Sequence, residues 1–462
     1  MSDRFSAAFS SLRVPDYRTL WWGGLFSFIS VQMQFLLRGL LAWDLTEREG
    51  ALGLVYLAFG VSMLIATPLG GVATDRFSRR LILIGSQAAI MVAAGTMGAL
   101  VILDAAEFWM LLVAGMVQGA SFGFFGPARV ALSAEYVGRD QLGNAITLSL
   151  LSMNGTRIFA PSLAGVLAGV AFVGIGGAYL MAAATSALSF YYLLRLPRPA
   201  AADRPAPTGR NPFEDIAEGV RYVYQRRPLR RLVLSSFFVI MFGFNYVAFY
   251  PAMIEGIFDL DDTYVGYISS ASALGAVAVS IPLASSADSP WAKMAMVLGG
   301  IGFGGGVILF GLSPSFWVAF AVIVAVGCFT TVYQSLSNTM ALAMADDSHQ
   351  GRVQSLMQLS FAGFGMAAAP LGFLAELIGL RQVIVLMGAV AVTAVLLYVV
   401  FEGGPRALRP DSVVPADIEP NREPDAASDA EPIVAPAPPV ATPRPTPPPL
   451  GGLRPDPVRA RR

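Results

Sequence analysis

Apolar segments long enough to cross a lipid bilayer follow one another almost without interruption up to residue 402. A helix needs about 20 mostly apolar residues to cross the ~30 Å hydrocarbon layer. The chain is 55% hydrophobic and 13% charged, far more apolar than a soluble globular protein. Inside a bilayer each backbone polar group must be bonded within its own segment, so the segments are expected to be α-helices. The pattern therefore predicts an all-α membrane protein.

Charged or turn-rich breaks divide the apolar sequence into twelve predicted transmembrane helices. They cover approximately residues 18–43, 51–74, 79–103, 107–132, 141–169, 172–195, 230–257, 263–285, 291–312, 315–343, 350–377 and 380–402. The first contains Gln32, Gln34 and Arg38 and lacks a clear small-residue cleavage site. We therefore predict that it is a retained span rather than a signal peptide.

The distribution of basic residues between the breaks predicts the orientation. One side holds Arg76, Arg79, Arg80, Arg129, Arg139, Lys293, Arg352 and nine arginines from Arg195 to Arg231. The other side holds only Arg48 and Arg381. Because basic loops stay in the cytoplasm, both termini are expected there. Arginine outnumbers lysine 30 to 1, which is typical of a GC-rich bacterial genome, so a multi-pass protein of the bacterial inner (plasma) membrane is predicted.

A repeat divides the chain into two halves of six helices. The stretch RVPDYR at 13–18 aligns with RRPLRR at 226–231, and the same offset places Gly53 over Gly266, Asp75 over Asp288 and Arg80 over Lys293. Parallel six-helix halves are one architecture of secondary transporters. The predicted organisation is an N-terminal half at 1–195, a cytoplasmic linker at 196–229, a C-terminal half at 230–402 and a tail at 403–462.

The linker and the tail differ in composition from the halves. The linker begins proline-rich and continues as NPFEDIAEGVRYVYQRR, which predicts a surface amphipathic helix with Asn211 as N-cap and Pro212 at its first position. The tail holds sixteen of the 31 prolines and almost no aromatic residues. We predict that it is disordered, and it is a candidate for contact with a cytoplasmic partner.

The stretch GGVATDRFSRR, between the second and third helices, resembles the signature Gly-x-x-x-Asp-Arg-x-Gly-Arg-Arg of the major facilitator superfamily. Gly71, Asp75, Arg76, Arg79 and Arg80 match, whereas Ser78 replaces the usual glycine. The stretches MQFLLRGLLAWDLT, GPARVALSAEYVGRDQLGNAITL and GRVQSLMQL look like the macrolide-efflux and siderophore-exporter branch. The resemblance implies a major facilitator fold working by alternating access, with the five matching residues as a conformational latch. These arginines are also compatible with a role in topology alone.

The resemblance further implies that the first, fourth, seventh and tenth helices line a central cavity. The polar residues of these helices are then candidates for substrate binding: Gln34, Arg38, Gln118, Tyr246, Tyr250, Gln334 and Asn338. Each of them is also explained by a hydrogen bond between neighbouring helices. Arg38 lies near the outer end of its helix, from which it can snorkel toward Asp44.

Arg157 is the strongest single candidate for a substrate site. It lies deep in the fifth predicted helix, where an arginine costs about 2.5 kcal/mol or more and must face the bundle interior or a wet cavity. Asn154 and Pro161 share its face of the helix. The alternative role for Arg157 is structural, as a hydrogen-bond donor to backbone carbonyls.

No aspartate or glutamate falls in the middle of a predicted span. Asp44, Glu255 and Glu376 lie near outer ends and are the candidates for proton coupling. We therefore favour an exporter of an organic anion or acidic amphiphile, such as a siderophore or secondary metabolite. In a cell with a negative interior, moving one negative charge outward gains ~2.3 kcal/mol per 100 mV.

Two alternatives stay open at the level of sequence. One is proton-coupled efflux of neutral or cationic drugs, and the other is a non-transporting membrane sensor or scaffold. One cysteine and one histidine exclude cysteine or histidine metal clusters and an internal disulfide framework, and zero net charge gives no sign of nucleic-acid binding. No catalytic constellation is recognisable, so neither an enzyme nor a cofactor is predicted. The expected partners are a small-molecule substrate and the lipid bilayer, with the protein as a monomer.

Overall fold

The computed structural model describes residues 10–197, 212–286, 291–346 and 349–404. Most of the predicted tail, the proline-rich part of the linker and Asn211 lie outside these residues. The described chain is helical throughout, which confirms the predicted all-α fold. The helices of the N-terminal half are α1 (Pro15–Thr46), α2 (Glu49–Arg76), α3 (Arg79–Ile102), α4 (Phe108–Gly138), α5 (139–169) and α6 (Gly174–Leu194).

Helix α4 runs into α5 without an intervening loop. The helical stretch Phe108–Gly169 is broken only at Gly138, whose φ of +74° lies in the left-handed region. Glycine adopts that conformation without the steric cost that a Cβ would add. The sequence predicted a break of several residues here, and the structure replaces it by a one-residue kink.

The linker contains the helix α7 (Pro212–Gln225), after which the C-terminal half begins. Its helices are α8 (Arg227–Phe249), α9 (Asp262–Ser286), α10 (Ala292–Gly311), α11 (Phe316–Ala343), α12 (Gln350–Ile378) and α13 (Leu380–Phe401). Helix α8 and the turns that follow it to Ile257 are together called the α8 segment. Within the described ranges, nine helices are long and apolar enough to cross a membrane. Together with α5, α9 and α12 they make the predicted twelve.

The helices alternate in direction, so the bundle has two ends. We call the end that carries residues 47–48, 103–107, 259–261 and 379 the Arg48 end. The end that carries residues 77–78, 195–197, 212–226, 344–346 and 349 is the linker end. Contacts between the two halves are concentrated in two helix pairs, α2 with α12 and α5 with α9. The space between the halves is therefore bounded by these pairs.

Candidate functional site: a central cavity lined by Arg157

A cavity of about 310 Å³ lies between the two halves. Along α11 its lining residues run from Gly327, roughly 16 Å from the Arg48 end of the helix, to Asn338, roughly 8 Å from the linker end. The cavity therefore occupies the middle of the bundle and extends toward the linker end.

Glycines close the Arg48 end above the cavity. A Cβ on Gly165 of α5 would lie 2.5 Å from the Cα of Gly266 in α9, closer than real Cβ contacts occur. In the other pair, Gly53 of α2 lies against Ala368 and Ala369 of α12. Small residues let helix backbones approach closely in membranes. The structure is thus a conformation in which the halves are sealed together at the Arg48 end.

The two walls of the cavity differ in chemistry. The N-terminal wall is mainly aromatic and apolar: Phe28, Val31, Gln32, Phe35, Phe59, Met63, Phe122, Met153, Arg157 and Pro161. The C-terminal wall supplies most hydroxyl and amide groups: Ser236, Tyr246, Tyr250, Ser269, Ser272, Thr330, Thr331, Tyr333, Gln334, Ser335, Ser337 and Asn338. Among the cavity-lining residues that the structure describes, Arg157 alone carries a formal charge. The cavity can therefore bind a molecule with an anionic group, an apolar or aromatic body and several hydrogen-bonding groups.

The structure brings five of the predicted substrate residues to this cavity. Arg157 reaches it from α5, Tyr246 and Tyr250 from the C-terminal part of the α8 segment, and Gln334 and Asn338 from α11. The side chain of Asn154 lies outside the described residues. Sequence reasoning did not single out Ser269, Ser272 and Thr331, since hydroxyl residues bonded to their own helix are common in any span.

The α8 segment is irregular where it meets the cavity. Regular α-helix ends at Phe238, and wide (π) and tight (3₁₀) turns continue to Ile257. The buried Asn245 amide donates to the carbonyls of Met241 (2.5 Å) and Phe364 (3.2 Å). Such turns occur preferentially at functional sites. The sequence predicted a continuous helix here and gave Asn245 no role.

Gln34, Arg38 and Gln118 are not among the described residues that line the cavity. All three are buried inside the N-terminal half, where Gln34 donates to the Ser30 hydroxyl (3.0 Å). Arg38 is 2% exposed, so its side chain does not snorkel toward Asp44. The side chains of these three residues thus face neighbouring helices of their own half, whereas Gln32 of α1 does line the cavity.

The arginines of the predicted latch lie at the linker end. Arg79 pairs with Glu135 of α4. Arg80 donates to the carbonyls of Leu194 (2.6 Å), the last residue of α6, and Leu196 (2.8 Å), just beyond it. Arg76 is exposed, Gly71 lies in the last turns of α2, and the side chain of Asp75 is outside the described residues. Ser78 has a φ of −63°, so the turn does not require the glycine that the family signature has there.

The three predicted proton-coupling carboxylates are all near the Arg48 end. Asp44 is exposed near the end of α1, and Glu255 lies beside a polar cleft with Asp259 and Asp261. Glu376 of α12 accepts hydrogen bonds from the Arg48 side chain (3.3 Å) and the Gly50 backbone N–H (3.1 Å). Glu376 therefore belongs to a polar contact that joins the two halves.

We expect Glu376→Gln to weaken the closed Arg48 end only slightly. The Arg48 side chain is 67% exposed, and exposed ion pairs contribute at most about 1 kcal/mol, which corresponds to about a fivefold change in the open population. Spin labels on cysteines introduced at Asp104 and Leu312, which lie in Arg48-end turns of opposite halves, measure this population. Glu47→Gln is the matched control. Complete loss of transport would instead indicate proton coupling at Glu376.

Helix α7 is fastened to the linker end of the C-terminal half. The Tyr222 hydroxyl donates to the Asp346 carboxylate (3.0 Å) and accepts the Asp346 backbone N–H (2.9 Å). Arg226 also donates to this carboxylate (2.5 Å), and the His349 ring stacks on Tyr222 with centroids 4.1 Å apart. Glu218 pairs with Arg352 of α12 (3.1 Å). The linker helix is thus held by a small polar cluster.

The Tyr222 hydroxyl, and after it Arg226, hold the pKa of Asp346 below its usual value. A lowered pKa in the docked state means that docking is fully supported above the ordinary aspartate value of about 3.9 and is lost as the pH falls through the docked-state value. We therefore expect α7 to keep its hydrogen-exchange protection from pH 7 to 5 and to lose it in stronger acid. Tyr222→Phe should raise exchange already at neutral pH, whereas Tyr224→Phe should not. Equal exchange in both variants would contradict this account.

Comparisons with known proteins agree with this architecture. The enterobactin exporter EntS of Shigella flexneri is 24% identical over 366 residues, which cover 78% of this chain and 84% of that protein. A bacterial homologue of the human lysosomal transporter Spinster, in an inward-facing and unoccupied conformation, superposes with a TM-score of 0.67 at 16% identity over 86% of this chain and 98% of that one. The human organic anion transporter MFSD10 gives a TM-score of 0.60 at 15% identity over 84% and 99%.

Twelve helices in two six-helix halves around a central cavity define a transporter of the major facilitator superfamily, not an enzyme. The sequence model of the transmembrane secretion effector family matches residues 6–415, and the chain belongs to that family. The resemblance inferred from the residues is therefore confirmed. The protein is a multi-pass membrane protein that transports small molecules.

Proposed function

We propose that this transporter exports a siderophore-like organic anion or acidic amphiphile by alternating access. The observation that carries the proposal is the single cation of the described cavity lining, Arg157, which faces a wall of neutral hydroxyl and amide groups. A cation in a low-dielectric site binds an anionic group strongly, and the hydroxyl and amide groups supply hydrogen bonds to the rest of the molecule. The similarity to the enterobactin exporter EntS supports this class of cargo.

The direction of transport follows from orientation and charge. We place the linker end in the cytoplasm because most basic loops lie there. The cavity then extends toward the cytoplasm, from which the cargo enters, and opening of the Arg48 end releases it outside. A negative cell interior favours this movement by ~2.3 kcal/mol per charge and 100 mV, so no deep proton-relay carboxylate is required. We further propose that the bilayer is the inner membrane of a bacterium and that the monomer is functional, because the cavity lies within one chain.

Untargeted mass spectrometry of cells and medium tests this proposal. A strain deleted for the protein is complemented with wild type or an empty plasmid. We expect acidic, hydroxyl-rich metabolites to accumulate in the deleted cells and to appear in the medium with wild type. If only neutral or cationic compounds depend on the protein, the anion proposal fails and proton-coupled drug efflux through Asp44, Glu255 or Glu376 takes its place.

A further inference from the structure

A second arginine, Arg38, is buried in the N-terminal half without a described counter-charge. It is 2% exposed, and its Nη1 atom has no hydrogen-bond partner among the described residues. The ionisable groups that act on it electrostatically are the phenols of Tyr179 and Tyr56, which are neutral at physiological pH. A buried charge normally has an opposite charge or a set of hydrogen bonds beside it. Among the described residues, Arg38 therefore lacks the counter-charge that a buried guanidinium normally has.

Further unbonded polar atoms belong to the helix that packs against Arg38. Its Cδ lies 3.8 Å from the position that a Cβ would take on Gly115 of α4. Gln118 is one turn further along the same face of α4, is fully buried, and has no hydrogen-bond partner at either amide atom among the described residues. Buried unsatisfied polar groups in native proteins often mark a bound ion or water. The guanidinium and the amide N–H groups are donors of the kind that bind an anion.

An aromatic cluster separates Arg38 from the cavity. The Arg38 guanidinium lies 5.3 Å from the ring centroid of Phe59, and Phe59 itself lines the cavity. Phe35 and Tyr56 complete the cluster from the N-terminal half, and Phe364 of α12 closes it from the other half, 5.4 Å from the Phe35 ring and 5.8 Å from that of Tyr56. Because the cluster includes residues of both halves, it must separate when the halves move apart at the Arg48 end.

We propose that Arg38 and Gln118 form a second anion-binding site, behind the Phe35–Tyr56–Phe59–Phe364 cluster, that is occluded in this conformation. The ligand is a small anionic group, which is either a free halide or the anionic end of the cargo. The halide source is independent of the proposed function, whereas the cargo source rests on it. In the second case Arg157 binds the anionic group from the linker end and Arg38 binds it when the Arg48 end opens.

Thermal unfolding of the purified full-length protein distinguishes the two sources. Melting temperatures are compared in sodium chloride, bromide and gluconate at equal ionic strength, and then in gluconate with salicylate, a small aromatic carboxylate, as probe. If the ligand is a halide, chloride and bromide raise the melting temperature of wild type and of Arg157→Gln but not of Arg38→Gln. If it is the cargo, only salicylate stabilises the protein, and Arg38→Gln weakens its binding at least about tenfold.

Conservative variants distinguish loss of anion binding from misfolding. Arg38→Lys retains the charge and should keep a weaker response, whereas Gln118→Leu, of similar size, should reduce it. Crystals of wild type grown in bromide provide a readout without any variant, through an anomalous peak beside the Arg38 guanidinium. The second site does not exist if two results are found together. The first is that halide and salicylate shift the melting temperature of Arg38→Gln and Arg38→Lys as much as that of wild type. The second is that no bromide or probe density adjoins Arg38. That result leaves the proposal for Arg157 intact.

Discussion

Arg157→Gln is expected to reduce export of an acidic cargo by roughly 10- to 150-fold, because a hydrogen bond to a charged group contributes about 1.5–3 kcal/mol. Glutamine keeps much of the length and the hydrogen-bonding capacity of arginine but removes the charge. Arg157→Lys retains the charge without the planar fork and should keep part of the activity. The measurement is the rate at which the metabolite identified by mass spectrometry leaves cells that contain equal amounts of each variant in the membrane.

The matched control is Arg221→Gln, the same substitution on the exposed face of α7, away from the cavity. It should export like wild type. The comparison of glutamine with lysine separates the two roles of Arg157. If both variants lose export equally although the protein is present, Arg157 supports the helix bundle through geometry. If both variants export like wild type, cargo recognition does not depend on the charge of Arg157, and the anion proposal loses its main support.

The two cavity walls explain why one cation can select a class of cargo. Arg157 attracts anions of any shape, so charge alone gives little discrimination. The opposite wall holds Gln334 and Asn338 with many hydroxyl groups and no formal charge among the described residues. The cargo of the proposed function would therefore place its anionic group toward the N-terminal half and its neutral hydrogen-bonding groups toward the C-terminal half. Such a cargo contacts both halves at once, which is the condition for coupling its binding to their relative movement.

The sequence predicts the helices well and the direction of their polar faces poorly. Span length follows from bilayer thickness, and a repeat of six helices fixes the architecture. A glutamine or arginine in a span, however, satisfies its hydrogen bonds equally well in a cavity or against a neighbouring helix. Gln34, Arg38 and Gln118 were predicted to line the cavity because their helices do, yet they point into their own half. Arg157 was predicted to face the interior because an arginine in contact with lipid is energetically costly. The structure does bring it to the cavity.

The close approach of the two halves was also invisible in a single sequence. The repeat aligns Gly53 with Gly266, and in the structure each lies at one of the two cross-half helix pairs. A glycine in an apolar run does not reveal whether the helix facing it belongs to its own half or to the other. Only the three-dimensional arrangement shows that both glycines belong to the seal of the Arg48 end.

Gly165→Leu is expected to abolish most transport by preventing that seal from forming. The new side chain would collide with the Gly266 backbone of α9, which cannot move away while the end stays closed. Overpacking of this kind costs about 1–3 kcal/mol, which shifts the equilibrium between the two conformations by roughly 5- to 150-fold toward the open Arg48 end. Alternating access requires both conformations, so turnover falls by a similar factor. Spin labels at Asp104 and Leu312 should report a longer distance.

A graded series and a matched glycine make this expectation specific. Gly165→Ala should give a smaller shift of the same sign, because a single methyl group overlaps less. Gly85→Leu places the same side chain at an exposed position of α3 with no atom within 4 Å of its Cβ, and should leave transport and label distance unchanged. Since leucine favours helix more than glycine, loss of function in Gly165→Leu does not come from helix propensity. If Gly165→Leu keeps the short label distance and normal transport, close contact between α5 and α9 is not what closes the Arg48 end.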